Sequence, residues 1–151
     1  MNGPAPSLQP TCLRAYLLGA ALGLGTPALI ALLLLARVVP PGPHPPEGLY
    51  EQLGYLCTGL VFLSAAWVLW RRGQTLRDFG ALPEARRPAV ILRETLLYAL
   101  VCEASSLLGL VYWVLMGAQD PRHAWGFILL TPMLFVALVP RPGRWQKALE
   151  G

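Results

Sequence analysis

Four long apolar stretches, separated by short polar segments, dominate the chain. They cover residues 15–36, 53–70, 95–117 and 124–139, and are 22, 18, 23 and 16 residues long. About 20 apolar residues in a helix cross a bilayer core of ~30 Å, because a helix rises ~1.5 Å per residue. The pattern therefore predicts four transmembrane helices. The last stretch is the shortest and contains Pro132, so we expect it to span with little tilt, to thin the bilayer locally, or to enter without fully crossing.

The stretches divide the chain into an N-terminal tail (1–14), a four-helix transmembrane domain (15–139) and a basic C-terminal tail (140–151). The first stretch is longer than the ~7–15 apolar residues of a signal peptide. We therefore expect it to persist as a helix of the mature protein.

The basic residues give the predicted bundle an orientation. With four spans and both termini on one side, ten of the twelve basic residues fall on that side, and only Arg37 and Arg122 fall on the other. The ten are Arg14, Arg71, Arg72, Arg77, Arg86, Arg87, Arg93, Arg141, Arg144 and Lys147. Cytoplasmic loops carry an excess of Lys and Arg. The predicted fold class is thus all-α: a polytopic membrane protein with four transmembrane helices in a small bundle and both termini cytoplasmic.

Composition agrees with this class. Of the 151 residues, 55% are hydrophobic and 13% are charged, for a net charge of +4, whereas a typical soluble domain has ~25% charged residues. Such a chain is neither a water-soluble enzyme nor a disordered protein, and it has too few basic residues for a nucleic-acid-binding face. The predicted partner is the lipid bilayer. Eleven Arg against one Lys, with abundant Ala, Gly and Pro, indicate a GC-rich bacterial source, and hence the inner (plasma) membrane.

Familiar catalytic and metal-binding motifs are absent from the sequence. Cys12, Cys57 and Cys102 are far apart, without a C-x-x-C pair, so neither a thiol-redox site nor a zinc site is predicted. There is also no phosphate-binding loop, serine nucleophile elbow or zinc-protease motif. We therefore predict no catalytic residues, no metal, no cofactor and no enzymatic activity.

Glu103 is the one acidic residue inside an apolar stretch. It lies about nine residues into the third stretch, ~13 Å deep at the usual helical rise, where an ionised carboxylate costs at least ~2.5–3.5 kcal/mol. At 100° per residue, Cys102, Ser106 and Gly109 share its side of the helix, while the opposite side is rich in Leu and Val. This pattern is typical of an acid that faces the interior of a helix bundle.

Two roles for Glu103 follow. In the first, a neutral Glu103 donates an interhelical hydrogen bond worth ~1 kcal/mol, and the candidate acceptors are Tyr55, Thr58, Ser64 and Thr131. In the second, Glu103 binds a proton or cation reversibly during transport. A membrane enzyme is a third class, and it would need a second polar group close to Glu103.

Small residues indicate where helices pack closely. Gly19 and Gly23 form a G-x-x-x-G motif in the first stretch, which allows another helix to approach. Gly109 supplies a small position in the third stretch, and Pro27 is expected to loosen the first helix.

The segment 100–112, Leu-Val-Cys-Glu-Ala-Ser-Ser-Leu-Leu-Gly-Leu-Val-Tyr, resembles the ion-binding helix of rotary ATP synthase subunit c. That resemblance implies that Glu103 matches the proton or sodium site of that family. The glycine-rich first helix is similar to that family's inner ring helix. In this chain, however, the acid lies in the third of four helices. The small multidrug transporters are also similar in size, but their acid lies in the first helix.

The whole pattern resembles small uncharacterised four-helix bacterial membrane proteins, which implies no established activity. We therefore expect a non-enzymatic structural protein or accessory subunit that assembles with itself or with other membrane subunits. A proton- or cation-coupled channel or transporter element that uses Glu103 is the alternative.

Overall fold

A computed structural model of the chain describes residues 8–42, 48–117 and 120–150. Throughout this part the chain is helical or forms short connections, and it contains no strand. The helices are α1 (Gln9–Leu35), α2 (Leu49–Asp78), α3 (Arg87–Met116), α4 (Pro121–Leu138) and α5 (Pro142–Glu150). Two short 3₁₀ turns, Phe79–Ala81 and Glu84–Arg86, connect α2 to α3. The prediction of an all-helical chain with four helices long and apolar enough to cross a membrane is confirmed.

Three of the helices extend beyond the apolar stretches that predicted them. α1 begins at Gln9, α2 continues to Asp78 and α3 begins at Arg87, each about two turns further than the apolar pattern indicated. All three extensions carry charged or polar residues, which a search for apolar stretches excludes. The predicted tail 1–14 therefore contributes the first turns of α1 from Gln9 onward, and residues 1–7 lie outside the described residues.

α4 begins at Pro121, earlier than the apolar stretch suggested, because Asp120 caps it. The Asp120 carboxylate accepts a hydrogen bond from the backbone N–H of Arg122 at 2.9 Å, and Pro121 fits the first turn, where no intrahelical donor is needed. The 18 residues of α4 give a length of ~27 Å. This helix is long enough to cross, with Pro132 in its interior.

α3 is the central helix of the bundle. It packs along most of its length against α1 and α4, while α2 lies on the outside and contacts α3 and, less extensively, α4. In the most apolar part of α3, 44% of the residues are buried, whereas in the most apolar part of α2 only 22% are buried. The exposed positions of α2 are mainly large apolar side chains such as Leu63 and Phe62, which suits a surface in contact with lipid.

Three glycines lie where helices approach closely. A Cβ atom at Gly23 of α1 would lie 2.7 Å from Cδ2 of Phe135 on α4, and one at Gly19 would lie 3.3 Å from the same ring. A Cβ at Gly109 of α3 would lie 2.8 Å from the backbone oxygen of Ala124. The two glycines of the G-x-x-x-G motif in α1 thus pack against Phe135 of the same chain.

The C-terminal tail contains a short helix, α5, which packs against one end of the bundle. Trp145 of α5 is buried and its ring lies 5.0 Å from that of Phe79, in an edge-on arrangement. The same cluster includes Cys12 of α1 and Ile91 of α3. The start of α1, the start of α3 and α5 therefore meet at one end of the bundle, which we call the α5 end.

Candidate functional site

Glu103 lies near the middle of α3, the central helix. It is the seventeenth of 30 residues, ~24 Å from the first residue of the helix, and only 5% of it is exposed. Ala99, Cys102, Ser106 and Gly109 are buried as well. The opposite face carries exposed leucines and valines. Glu103 therefore lies on the face of α3 that the other helices cover.

Ser106, one turn further along α3, is the hydrogen-bond partner of Glu103. Its hydroxyl contacts the Oε1 atom of Glu103 and lies 3.0 Å from the backbone oxygen of the same residue. A serine hydroxyl carries one proton and can donate it to only one acceptor at a time. A protonated Glu103 satisfies both contacts, because the carboxyl group then donates to Ser106 while Ser106 donates to the backbone oxygen.

The second carboxyl oxygen of Glu103 is buried without a hydrogen-bond partner among the described residues. The hydroxyls that the sequence suggested as partners are engaged elsewhere: Thr58 donates to Gly54 and Ser64 to Leu60, each at 2.8 Å, and Thr131 lies 3.4 Å from the oxygen of Phe127.

Tyr55, the fourth suggested partner, is 76% exposed on the outside of α2. The expected interhelical hydrogen bond to these four residues is therefore not present in the described structure. Instead, the carboxyl group of Glu103 contacts the Ser106 hydroxyl, one turn away on the same helix.

Cys102 is buried on the same broad side of α3 as Glu103 and Ser106, and it belongs to an apolar cluster. Its side chain packs with Val68 of α2 and Phe135 of α4. It also lines a small cavity between α2, α3 and α4, together with Ser64 and Ser105. This cavity has a volume of about 10 Å³, which is enough for about one water molecule.

Glu103 faces α1. Ala99, one turn before Glu103, lies beside Gly19, since a Cβ atom at Gly19 would be 3.6 Å from that of Ala99. α1 and α3 run in the same direction, as their packed ends show. Glu103 is therefore level with Gly23 of α1. Pro27 has no N–H group, so the Gly23 carbonyl lacks the hydrogen bond that the next turn normally provides. The Gly23 carbonyl, which lacks a donor within α1, therefore lies at the level of Glu103.

The chain also contains a buried ion pair that the sequence analysis did not predict. Arg71 of α2 donates two hydrogen bonds to the carboxylate of Glu94 on α3, both 2.8 Å long. The side chain of Glu94 is 6% exposed and that of Arg71 is 30% exposed. Next to this pair, the hydroxyl of Tyr98 donates to Thr75 at 3.2 Å. This polar cluster joins α2 to α3 near the α5 end.

Glu94 is thus a second buried acid, in addition to Glu103. The hydropathy pattern leaves Glu94 outside the predicted spans, because this residue immediately precedes the apolar stretch that begins at Thr95. Helical spacing offered a signal: Glu94, Tyr98 and Cys102 follow one another at intervals of four residues, which places them on one face. Extending the helix backward along that face would have predicted that Glu94 is buried.

Metal or thiol chemistry has no support from the described residues. They contain no group of three His, Cys, Asp or Glu side chains that could hold a metal ion. Cys12, Cys57 and Cys102 are free and buried, and they belong to different clusters.

Comparison with known proteins gives no family assignment. No family model, curated protein or solved structure matches the chain.

Proposed function

We propose that this chain is a non-enzymatic integral membrane protein that acts as a structural or accessory subunit. We place it in the inner (plasma) membrane of a bacterium, with both termini in the cytoplasm. The orientation is supported by the ten basic residues at the α5 end, since positively charged loops stay in the cytoplasm.

The observation that carries the proposal is the close packing of α1, α3 and α4 in the part of the bundle that contains Glu103. Glu103 is bonded to Ser106 within its own helix, the glycines of α1 and α3 are in close contact with α4, and the cavity beside Cys102 has a volume of about 10 Å³. A substrate or a hydrated ion needs far more space than about one water molecule. The polar groups of this interior serve packing, and α2 presents a largely exposed apolar face to lipid or to a neighbouring subunit.

Native electrophoresis tests the accessory role. Membranes that contain the tagged chain are solubilised in a mild detergent, and the size of the tagged species is compared with that of the purified monomer. We expect an assembly that contains a second copy or other membrane proteins. Migration as a monomer under every mild solubilisation condition would refute the accessory-subunit role.

Substitution of Glu103 tests the structural role of the acid. Glu103→Gln keeps a donor and an acceptor beside Ser106, so we expect its melting temperature in detergent to stay close to that of the wild type. Glu103→Leu leaves the Ser106 hydroxyl without this partner and should lower the stability by about 1–2 kcal/mol. Equal stability of the Leu variant and the wild type would show that the bond does not hold the bundle together.

A second candidate function is a proton- or cation-coupled transport element. Its specific support is the unpartnered Oε2 atom of Glu103 at the level of the Gly23 carbonyl. Proton and sodium flux into liposomes is measured for the wild type and for Glu103→Gln. Flux in the wild type that the variant loses supports transport through Glu103. Equal flux in both, or no flux in either, eliminates it without affecting the accessory-subunit proposal.

A further inference from the structure

A basic cavity lies at the α5 end of α4, away from Glu103. It has a volume of about 410 Å³ and is lined by Val136, Ala137, Val139, Arg141 and Arg144. The first two belong to the last turns of α4, and Arg144 belongs to α5. Both arginines are exposed. The cavity therefore has an apolar wall made by α4 and a cationic rim made by the connection to α5.

A third arginine adds to the positive charge at this position. Arg72 of α2 donates hydrogen bonds to the backbone oxygens of Ala137 and Leu138, at 3.2 and 2.9 Å. It thereby binds the carbonyls at the end of α4, where a cation is favoured. Arg72 therefore binds the part of α4 that lines the cavity, and no acidic residue is among the described residues that line it. An anion in the cavity would offset this concentration of positive charge.

An apolar stripe runs along α4 away from the cavity. Leu129, Met133 and Val136 are 61%, 68% and 49% exposed, and their spacing of four and three residues places them on one face of the helix. The stripe leads from the arginines toward the middle of the predicted span. A ligand that fits both features has a negatively charged head and a hydrocarbon chain.

We propose that this cavity binds the headgroup of an anionic glycerophospholipid. Arg141 and Arg144 bind the phosphate, because the planar guanidinium group donates two parallel hydrogen bonds to phosphate oxygens. One acyl chain lies along Leu129 and Met133. Basic pockets beside membrane helices on the cytoplasmic side are suited to such headgroups. The proposal is independent of the roles assigned to Glu103.

Native mass spectrometry of the full chain in detergent tests the site. Phosphatidylglycerol and phosphatidylcholine with identical acyl chains are titrated separately, and the lipid-bound fraction is measured. The test variant is Arg141→Gln/Arg144→Gln. The matched control is Arg77→Gln/Arg86→Gln, which removes the same charge from exposed positions that do not line the cavity. Circular dichroism checks that both variants are folded.

We expect the wild type to retain phosphatidylglycerol more strongly than phosphatidylcholine. The test variant should bind phosphatidylglycerol about tenfold to thirtyfold more weakly, since each basic residue near an anionic lipid contributes about 1 kcal/mol, while the control stays within about twofold. Equal losses in the two variants would mean that net charge alone attracts the lipid, and would overturn the site.

A further arm adds inorganic phosphate at the same concentration as the lipid. If phosphate displaces phosphatidylglycerol completely, the cavity is a site for a free anion, and the lipid assignment is wrong. If phosphatidylglycerol stays bound, the acyl chain contributes to binding as proposed. Equal retention of phosphatidylglycerol and phosphatidylcholine by the wild type would also overturn the proposal.

Discussion

Replacing Gly23 by Ala probes how closely α1 approaches α4. The added Cβ atom would lie 2.7, 2.9 and 3.1 Å from Cδ2, Cγ and Cβ of Phe135. The last of these atoms is attached to the backbone, so rotation of the phenyl ring alone cannot relieve the contact. Phe135 is 1% exposed and its ring lies 5.5 Å from that of Tyr16. The two helices must therefore move apart.

The expected magnitude combines two opposing terms. Overpacking of a tightly packed core costs about 1–3 kcal/mol, whereas exchanging Gly for Ala inside a helix gains about 0.5–1 kcal/mol. Gly23→Ala should therefore be destabilised by about 1–2 kcal/mol. Gly25, two residues further along α1, is the matched control, because a Cβ atom there has no neighbour within 4 Å. Gly25→Ala should be as stable as the wild type, or more stable by up to about 1 kcal/mol.

Reversible unfolding in mixed micelles with increasing SDS, followed by circular dichroism, measures both variants against the wild type. The decisive quantity is the difference in unfolding free energy between Gly23→Ala and Gly25→Ala, which we expect to be about 1–3 kcal/mol. Should Gly23→Ala prove as stable as Gly25→Ala, the close approach of α1 and Phe135 would be wrong, and the G-x-x-x-G motif would be free to serve a different interface.

Three further predictions concern the α5 end of the bundle. Arg71→Met removes both 2.8 Å hydrogen bonds to the buried Glu94 carboxylate and leaves it only the longer 3.5 Å contact with Arg93. The substitution should therefore cost about 2–4 kcal/mol in SDS unfolding, since breaking a buried pair is strongly unfavourable. Arg77→Met, at an exposed position on the same helix, should change stability by less than about 0.5 kcal/mol. Equal effects of the two substitutions would contradict a specific pair. Trp145→Ala should lower stability by about 3–5 kcal/mol, because it removes the large buried side chain of the cluster at the α5 end. Trp70→Ala, at a position that is 61% exposed, should have a much smaller effect. Similar losses in the two variants would refute the packing of α5. A reporter protein that is active only in the cytoplasm should be active when fused to the C-terminus, because the C-terminus is proposed to be cytoplasmic. Activity of a reporter that works only in the periplasm would reverse the proposed orientation.

The sequence by itself determined the class of the protein and the number of its long helices. Without water in the bilayer core, backbone groups must bond within their own segment, so long apolar stretches have few alternatives to the helix. The same constraint makes a lone acid conspicuous, and helical periodicity was sufficient to place Glu103 among small residues on the buried face of α3. Both inferences depend only on neighbours along the chain.

Tertiary structure decided which polar groups meet. Arg71 and Glu94 are 23 residues apart and lie outside the apolar stretches, so hydropathy treats both as solvated loop residues. Packing of α2 on α3 brings them together, and the energy of such a pair depends on a distance and a degree of burial that no local pattern encodes. Helical periodicity placed Ser106 on the same side of α3 as Glu103, but only the structure showed that Ser106, and none of the hydroxyls suggested on other helices, is its hydrogen-bond partner. The sequence also did not specify that Gly23 faces Phe135, because the packing of α1 against α4 depends on how all four helices fill the interior together.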